Sequence, residues 1–180
     1  MRLFLALLAA SLLGAPPDRY ASVAVNADGN VTVSTEDGRQ ITPPRLPPFS
    51  DGINSVGADK AAVAPDHRSV GWLALFENGG TSYPLPLKLV VLHNGRLHVL
   101  EGNGYASIWF WSFQDGGKRI AAREELPHGG VGVHYDLWDV ASGKRVADYT
   151  PTYDENGHTI ARPNQPAWVK ALDVSEAKSR

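Results

Sequence analysis

Two histidines and an aspartate stand close together in residues 127–145, where their side chains could do chemistry. His128 lies in a glycine-rich stretch. A strand after it would place His134 and Asp136 on one face, because alternate residues of a strand share a face. Imidazole and carboxylate groups bind metals or transfer protons. The spacing matches none of the common metal-ligand motifs, so the sequence predicts no metal site and no cofactor.

The chain carries no other motif that is typical of an active site. It has no cysteine, no G-x-S-x-G nucleophile elbow and no H-E-x-x-H zinc motif. Glu124 and Glu125 are adjacent, so in a strand their carboxylates point to opposite faces and do not form an acid and base pair. These observations favour a non-catalytic protein. The alternative, an enzyme or enzyme subunit, depends on His128, His134 and Asp136.

The elements that must position these residues are short strands. Apolar runs are separated every eight to twelve residues or so by turn sequences such as "NADGN", "EDGR", "ENGG", "HNGR" and "ASGK". No segment shows a long helical period, and only the final "PAWVKALDVSEAKSR" allows a short helix. The pattern predicts an all-β fold of antiparallel strands.

An internal repeat organises these strands into two larger units. The stretch "VGWLALFENGG" at 70–80 aligns with "IAAREELPHGG" at 120–130, at a constant offset of fifty residues. In the second unit, strands are predicted over 107–113, 119–126, 133–140 and 145–149. A repeat of about fifty residues with four strands is the period of a propeller blade. A closed propeller needs about four blades or more, so the sequence predicts an incomplete or open propeller of four-stranded blades. Either one end of an open arc is covered, or another chain closes its edges.

The same residues resemble a known family. "IWFWSFQDGGKRIAA" is similar to the "W-S-P-D-G-K-x-I-A" motif of TolB-like β-propeller repeats, and "YDLWDVASGKRV" is similar to the strand, turn and strand of WD-like repeats. The resemblance covers about residues 55–150. It implies blade structure without implying an activity, because such blades serve many roles.

The first residues and the overall charge bear on location and partners. "MRLFLALLAASLLGAPPDRY" has the layout of a secretory signal peptide, with cleavage after Ser11 or after Ala15, and predicts a periplasmic or secreted protein. The alternative is an uncleaved membrane anchor. No other segment has the length and hydropathy of a membrane span. The net charge of -2 lacks the basic excess that attracts nucleic acid, so nucleic acid is not an expected partner.

These observations divide the chain into six parts. They are a signal peptide (1–15), a partial β unit (20–42), a Pro-rich linker (43–52), two blade-like units (53–102 and 103–150), and a C-terminal partial unit with a tail (151–180). The Pro-rich part, "TPPRLPPF", is interpreted as a stiff linker, with a polyproline ligand as the alternative.

Aromatic residues mark the first strand of the second unit. Alternation predicts one face with Trp109, Trp111 and Phe113, and another with Ile108 and Phe110. Such a strand is expected to be buried between layers, with Trp72 of the preceding unit in the same layer. An aromatic ligand platform is the alternative.

The loops between second and third strands are the predicted contact surfaces. They cover 77–86 and 127–132, and their Gly-Gly pairs let a partner approach the backbone closely. The candidate binding residues are Asn78, Gly79, Gly80, Tyr83, His128, Gly129, Gly130 and His134. The predicted function is a non-catalytic binding or scaffolding module that contacts a protein partner, or itself, through these loops and an open sheet edge. A folded propeller fragment without a ligand is a further alternative.

Overall fold

The computed structural model describes residues 18–49, 52–80, 82–102, 106–126, 132–156 and 159–179. The predicted signal peptide lies outside these residues, and so do three candidate binding residues, His128, Gly129 and Gly130.

The described chain is built of antiparallel strands, as the turn pattern predicts, followed by one α-helix. Its elements are β1 (Tyr20–Val25), β2 (Val31–Thr35), β3 (Gln40–Ile41), β4 (Ser55–Val63), β5 (Ser69–Phe76), β6 (Leu85–His93), β7 (Arg96–Glu101), β8 (Ser107–Gln114), β9 (Arg119–Glu125), β10 (His134–Asp139), β11 (Arg145–Tyr149), β12 (Thr152–Tyr153), β13 (Thr159–Ala161) and α1 (Ala167–Ser179). The expected C-terminal helix is present.

The strands form two four-stranded sheets with the chain order that the repeat predicts. One sheet has the order β4-β5-β6-β7, and the other runs from β8 to β11 in the same sense. We call them sheet 1 and sheet 2. Strand β11 has the predicted bounds, β8 and β9 differ from theirs by one residue at one end, and β10 is one residue shorter than predicted at each end. A three-stranded sheet, β1-β2-β3, and a short β12-β13 pair complete the fold. The all-β, open propeller-like architecture is therefore confirmed.

The two large sheets pack face to face. Leu73, Leu89 and Val91 of sheet 1 meet Ile120 and Trp138 of sheet 2, and all five side chains are buried. Burial of apolar side chains between two sheets is the main driving force of such a layered fold. The fixed distance between the sheets depends on residues with small side chains at the points of closest approach.

Gly71 and Gly143 are two such residues. A Cβ atom on Gly71 would lie 2.7 Å from the Trp111 ring, and one on Gly143 would lie 2.6 Å from Nδ1 of His98. Both separations are well below ordinary van der Waals contact. The glycine in the "ASGK" turn therefore makes the turn, with a φ of 66°, and also lets this end of sheet 2 approach β7.

Both outer faces of this pair of sheets are covered. The far side of sheet 1 packs against β1 and β2 through Tyr20 and Val33, which are fully buried. The far side of sheet 2 packs against α1 through Val169 and Leu172. The outward side chains of the three-stranded sheet are small or polar: Ser22, Ala24, Thr32, Ser34 and Gln40. The stack of sheets thus ends in the solvated face of the three-stranded sheet on one side and in α1 on the other. This arrangement is an open arc whose faces are covered.

The predicted alternation along the aromatic strand is wrong at one position. Strand β8 has a bulge between Ile108 and Phe110, so that Trp109 has no partner of its own in β9. An extra residue in one strand reverses the alternation beyond it. Ile108 therefore shares the face of Trp111 in the core between the two sheets, while Phe110 turns toward α1.

Trp72 also lies in a different layer from the one predicted. It packs against the three-stranded sheet, together with Val70 and Phe76 of the same strand. Its neighbour Gly71 is the residue that faces Trp111. The register of β5 decides this, because a shift of one residue moves every side chain to the opposite face.

Candidate functional site

An open groove lies between the free edges of β4 and β8, with the end of α1 along one side. Its volume is about 970 Å³, near the upper end of the range for small-ligand pockets. Its lining comprises residues 60–63 and Pro65 of the β4 side, residues 109–113 of β8, Arg123 and Glu125 of β9, and Glu176 and Ser179 of α1. We call this concavity, which lies between the first strands of the two sheets, the inner groove.

A lysine in a strained backbone conformation forms one wall of the inner groove. Lys60 and Ala61 together oppose the single residue Trp72, which makes a bulge in β4. Lys60 has a φ of 49°, in the left-handed region that non-glycine residues rarely adopt. The bulge directs its side chain across the groove, where Nζ donates a hydrogen bond of 2.6 Å to the backbone oxygen of Trp109. Lys60 therefore ties the edges of the two sheets together.

The opposite wall is aromatic. Trp109 and Phe110 are each half-buried, so part of each ring faces the groove. The indole Nε1 of Trp109 donates a hydrogen bond of 3.2 Å to the backbone oxygen of Glu125, which fixes the ring. Trp111 lies deeper, only 6% exposed, with its ring against Gly71. The groove therefore presents rigid aromatic surface at its rim.

Charged groups lie at the α1 end of the inner groove. Nη2 of Arg123 is 3.0 Å from Oε1 of Glu176 and 3.9 Å from Oε2 of Glu125. The guanidinium thus sits between a helix carboxylate and a strand carboxylate. Apolar walls with a few fixed polar groups are typical of ligand sites.

The predicted loop residues form a second, shallower concavity. Asn78, Gly79 and Tyr83 line a space of about 560 Å³, and the Tyr83 side chain is 45% exposed. Gly80 lies beside them, and its backbone N–H donates to Oδ1 of Asn78 at 3.0 Å. The structure therefore brings together the four candidate residues of this loop.

His134 lies in neither concavity but in a polar cluster between the two sheets. We define this cluster as Glu124, His134, Asp136 and Arg145. His134 and Glu124 are direct partners on β10 and β9, and Asp136 follows two residues later on the same face. Glu124 and Asp136 are both fully buried. The structure confirms that His134 and Asp136 share a face of one strand.

Hydrogen bonds and ion pairs hold the polar cluster in place. Oδ1 of Asp136 is 3.3 Å from Nε2 of His134 and 3.1 Å from Nη1 of Arg145. Nδ1 of His134 is 2.7 Å from the hydroxyl oxygen of Thr150. Gly102, just after β7, leaves the space that the Glu124 carboxylate fills, since a Cβ atom there would overlap that carboxylate.

The cluster gives protein stability a defined pH dependence. The Asp136 carboxylate raises the pKa of His134 above its ordinary 6.5, although burial acts in the opposite direction; Glu124 and Asp148 also raise it. A raised pKa in the folded state stabilises the fold fully below about pH 6.5, and this stabilisation is lost as the pH rises through the folded value. We therefore expect the advantage of the wild type over His134→Gln in free energy of unfolding to shrink from mildly acidic toward alkaline pH. Urea denaturation of both proteins across that range measures it, and an advantage that grows with pH would contradict the assignment.

No motif in the sequence indicates the inner groove. The groove lies between β4 and β8, two edge strands that are separated in the chain by β5, β6 and β7. Neither of the two strands carries a motif of its own. The internal repeat does relate the two sides of the groove, because at an offset of fifty residues Lys60 aligns with Phe110 and Val63 aligns with Phe113. Equivalent residues of adjacent blade-like units line the two sides of the groove.

Neither the arrangement of possible metal ligands nor comparison with known proteins assigns a function to the chain. Among the described residues, no group of three or more His, Asp or Glu side chains is arranged to hold a metal ion. The part of the chain that the structure describes also contains no helix with the length and apolar character of a membrane span. No protein-family model matches the chain, and no curated protein has a matching sequence. The resemblance to TolB-like repeats rests on the sequence motifs alone.

Proposed function

We propose that this chain is an exported, non-catalytic binding module whose inner groove holds an extended segment of a partner protein. One observation carries the proposal. Trp109 and Phe110 are only partly buried and line an open groove of about 970 Å³, although Phe110 also packs against the core beneath α1. Aromatic side chains are enriched at protein interfaces because they bury much apolar area at little cost in conformational entropy. The export signal and the TolB-like resemblance are part of the same proposal.

The partner would contribute side chains and would not extend either sheet as a further strand. Both edges that border the groove are bulged, at residues 59–62 of β4 and 108–110 of β8. Bulges and edge lysines prevent an added strand from making a regular ladder of hydrogen bonds. The Lys60 side chain also crosses the groove and already occupies the backbone oxygen of Trp109. An apolar or aromatic side chain of the partner, stacked on Trp109, fits these restrictions.

Affinity capture with point variants tests this proposal. The purified chain is used as bait for the envelope and secreted fractions of its source cells, and the captured protein is then titrated against each variant. We expect Trp109→Ala to weaken binding by about tenfold or more, as loss of a buried aromatic anchor does. Tyr83→Ala is the matched control, because it removes an exposed aromatic ring from the other concavity. Loss of binding in the Tyr83 variant with full binding in the Trp109 variant would overturn the proposal.

A second candidate function, a hydrolase, is favoured by one arrangement in the polar cluster. Thr150, His134 and Asp136 stand in the order hydroxyl, imidazole and carboxylate, with distances of 2.7 Å and 3.3 Å. This is the order of groups that activates a hydroxyl nucleophile for acyl transfer. Neither concavity described above is lined by these residues. Hydrolysis of an activated acyl ester, measured for the wild type and for Thr150→Val, separates the two functions. Equal rates in the two proteins would remove this candidate.

A further inference from the structure

Two Asn-Gly pairs lie in described turns of the chain, and their surroundings differ. Asn78-Gly79 stands in the loop between β5 and β6, and Asn94-Gly95 forms the turn between β6 and β7. In such a pair the glycine nitrogen can attack the side-chain amide of the asparagine, because glycine has no Cβ atom to hinder the approach. The glycines of two further pairs, at 103–104 and 156–157, lie outside the described residues.

The Asn94-Gly95 turn holds both groups that would have to react. The Gly95 backbone N–H donates a hydrogen bond of 3.0 Å to the hydroxyl oxygen of Tyr20, a fully buried residue. Nδ2 of Asn94 lies 2.9 Å from Nε2 of His93. The turn is a tight one, since His93 pairs directly with Arg96. Attack by the Gly95 nitrogen would therefore require loss of its hydrogen bond and opening of the hairpin.

The Asn78-Gly79 pair is more open. Gly79 is exposed, and a Cβ atom added to it would meet no atom within 4 Å other than those of its chain neighbours. Among the residues that the structure describes, none accepts a hydrogen bond from the Gly79 backbone N–H. Oδ1 of Asn78 accepts a hydrogen bond of 3.0 Å from the Gly80 backbone N–H, which holds the side-chain amide over the loop. This hydrogen bond also draws electron density from the amide carbon and makes it more reactive toward a nitrogen nucleophile.

We propose that Asn78 is a site of spontaneous deamidation, with water as the co-reactant. The Gly79 nitrogen loses its proton to a base in the solvent and forms a bond to Cγ of Asn78. The bond between Cγ and Nδ2 breaks, and the leaving nitrogen takes up a proton from water and departs as ammonia. Water then opens the cyclic imide. Cleavage between Cγ and the Gly79 nitrogen gives aspartate, whereas cleavage between the main-chain carbonyl carbon and that nitrogen gives isoaspartate.

This modification changes the shallower concavity and not the inner groove. Asn78 and Gly79 line the shallower concavity together with Glu77, whose carboxylate accepts hydrogen bonds of 3.2 and 2.9 Å from the backbone and side-chain nitrogens of Asn54. A new carboxylate at position 78 places a second negative charge in this loop, and isoaspartate also lengthens its backbone. The lining of the inner groove comes from other parts of the chain. The proposal therefore does not depend on the groove function.

Peptide mass spectrometry of the folded chain, incubated at mildly alkaline pH, tests the proposal. We expect Asn78 to convert to aspartate and isoaspartate about tenfold or more faster than Asn94, since tenfold is the factor that one hydrogen bond on the attacking N–H corresponds to. In urea, where neither turn is held, the two rates should converge. Equal rates in the folded chain, or a faster reaction at Asn94, would overturn the proposal. The same ratio of rates in urea and in the folded chain would also overturn it, because the fold would then not be the cause.

Two variants each change the rate at one site. Tyr20→Phe keeps the buried ring and removes the oxygen that holds Gly95, so it should speed the reaction at Asn94 and leave Asn78 unchanged. Gly79→Ala should slow the reaction at Asn78, because the added Cβ atom hinders ring closure, and the open space at this position accommodates the methyl group. Asn94 is the internal reference in the second variant. An unchanged rate at Asn78 in Gly79→Ala would contradict attack by the Gly79 nitrogen.

Discussion

Replacement of Arg145 by Ala is expected to lower the free energy of unfolding by about 3 kcal/mol at neutral pH. Among the residues that the structure describes, the substitution leaves His134 as the only ion-pair partner of the fully buried Asp136 carboxylate. Removal of one partner of a buried ion pair costs roughly 3–5 kcal/mol, and the lower end applies because His134 remains beside Asp136 and half of the Arg145 side chain is exposed. Urea denaturation of the wild type and the variant measures the difference.

Two further variants make that measurement specific to the buried charge. Asp136→Asn in the Arg145→Ala background should recover part of the lost stability, because the amide has nearly the shape of the carboxylate and no charge. Arg119→Ala is the matched control, since Arg119 makes an exposed pair with Asp115 at 3.4 Å. An exposed pair contributes about 0–1 kcal/mol. A loss in the control as large as that in Arg145→Ala would show that the buried charge is not the cause.

Replacement of Gly71 by Ala is expected to destabilise the protein by about 1–3 kcal/mol, the usual cost of adding a methyl group to a packed core. The added Cβ atom would lie 2.7 Å from Cη2 of Trp111, a buried atom of the facing sheet. Phenylalanine at position 111 lacks this atom, so Gly71→Ala should cost much less in a Trp111→Phe background. The two single variants and the double variant form a cycle that isolates this contact. Equal costs in both backgrounds would mean that the sheets do not meet at these residues.

The order of strands could be predicted from the sequence because local signals encode it. Turn residues recur between apolar runs, and the repeat of fifty residues aligns β5 with β9 and β6 with β10. The left-handed positions at Gly95 and Gly143 have the residue that such turns require. Fold class and strand bounds therefore follow from the turn residues between apolar runs and from the internal repeat.

Side-chain direction and the inner groove could not be predicted in the same way. One extra residue at Trp109 reverses the alternation along β8, and no sequence pattern announces such a bulge. The same holds for Lys60, whose bulge places a lysine across the groove. The groove depends on how two edges and a helix end come together, which is a property of the packing of the sheets and not of any one segment.

The predicted binding loop at 77–86 forms a concavity of its own. Asn78, Gly79, Gly80 and Tyr83 do lie together, but their concavity is shallower than the inner groove and has a single exposed aromatic ring. His134 is held within sheet 2, beside the buried Asp136 carboxylate and the Thr150 hydroxyl. A histidine near a carboxylate thus indicated a structural cluster.

Hydrogen–deuterium exchange of the chain with and without its captured partner tests the central claim most directly. Binding in the inner groove predicts slower exchange in peptides that cover residues 60–65 and 109–113, with no change in residues 77–84. The Trp109→Ala variant should lose this protection at the same partner concentration. Protection confined to residues 77–84, with the edges of β4 and β8 unchanged, would contradict the account and would assign binding to the loop.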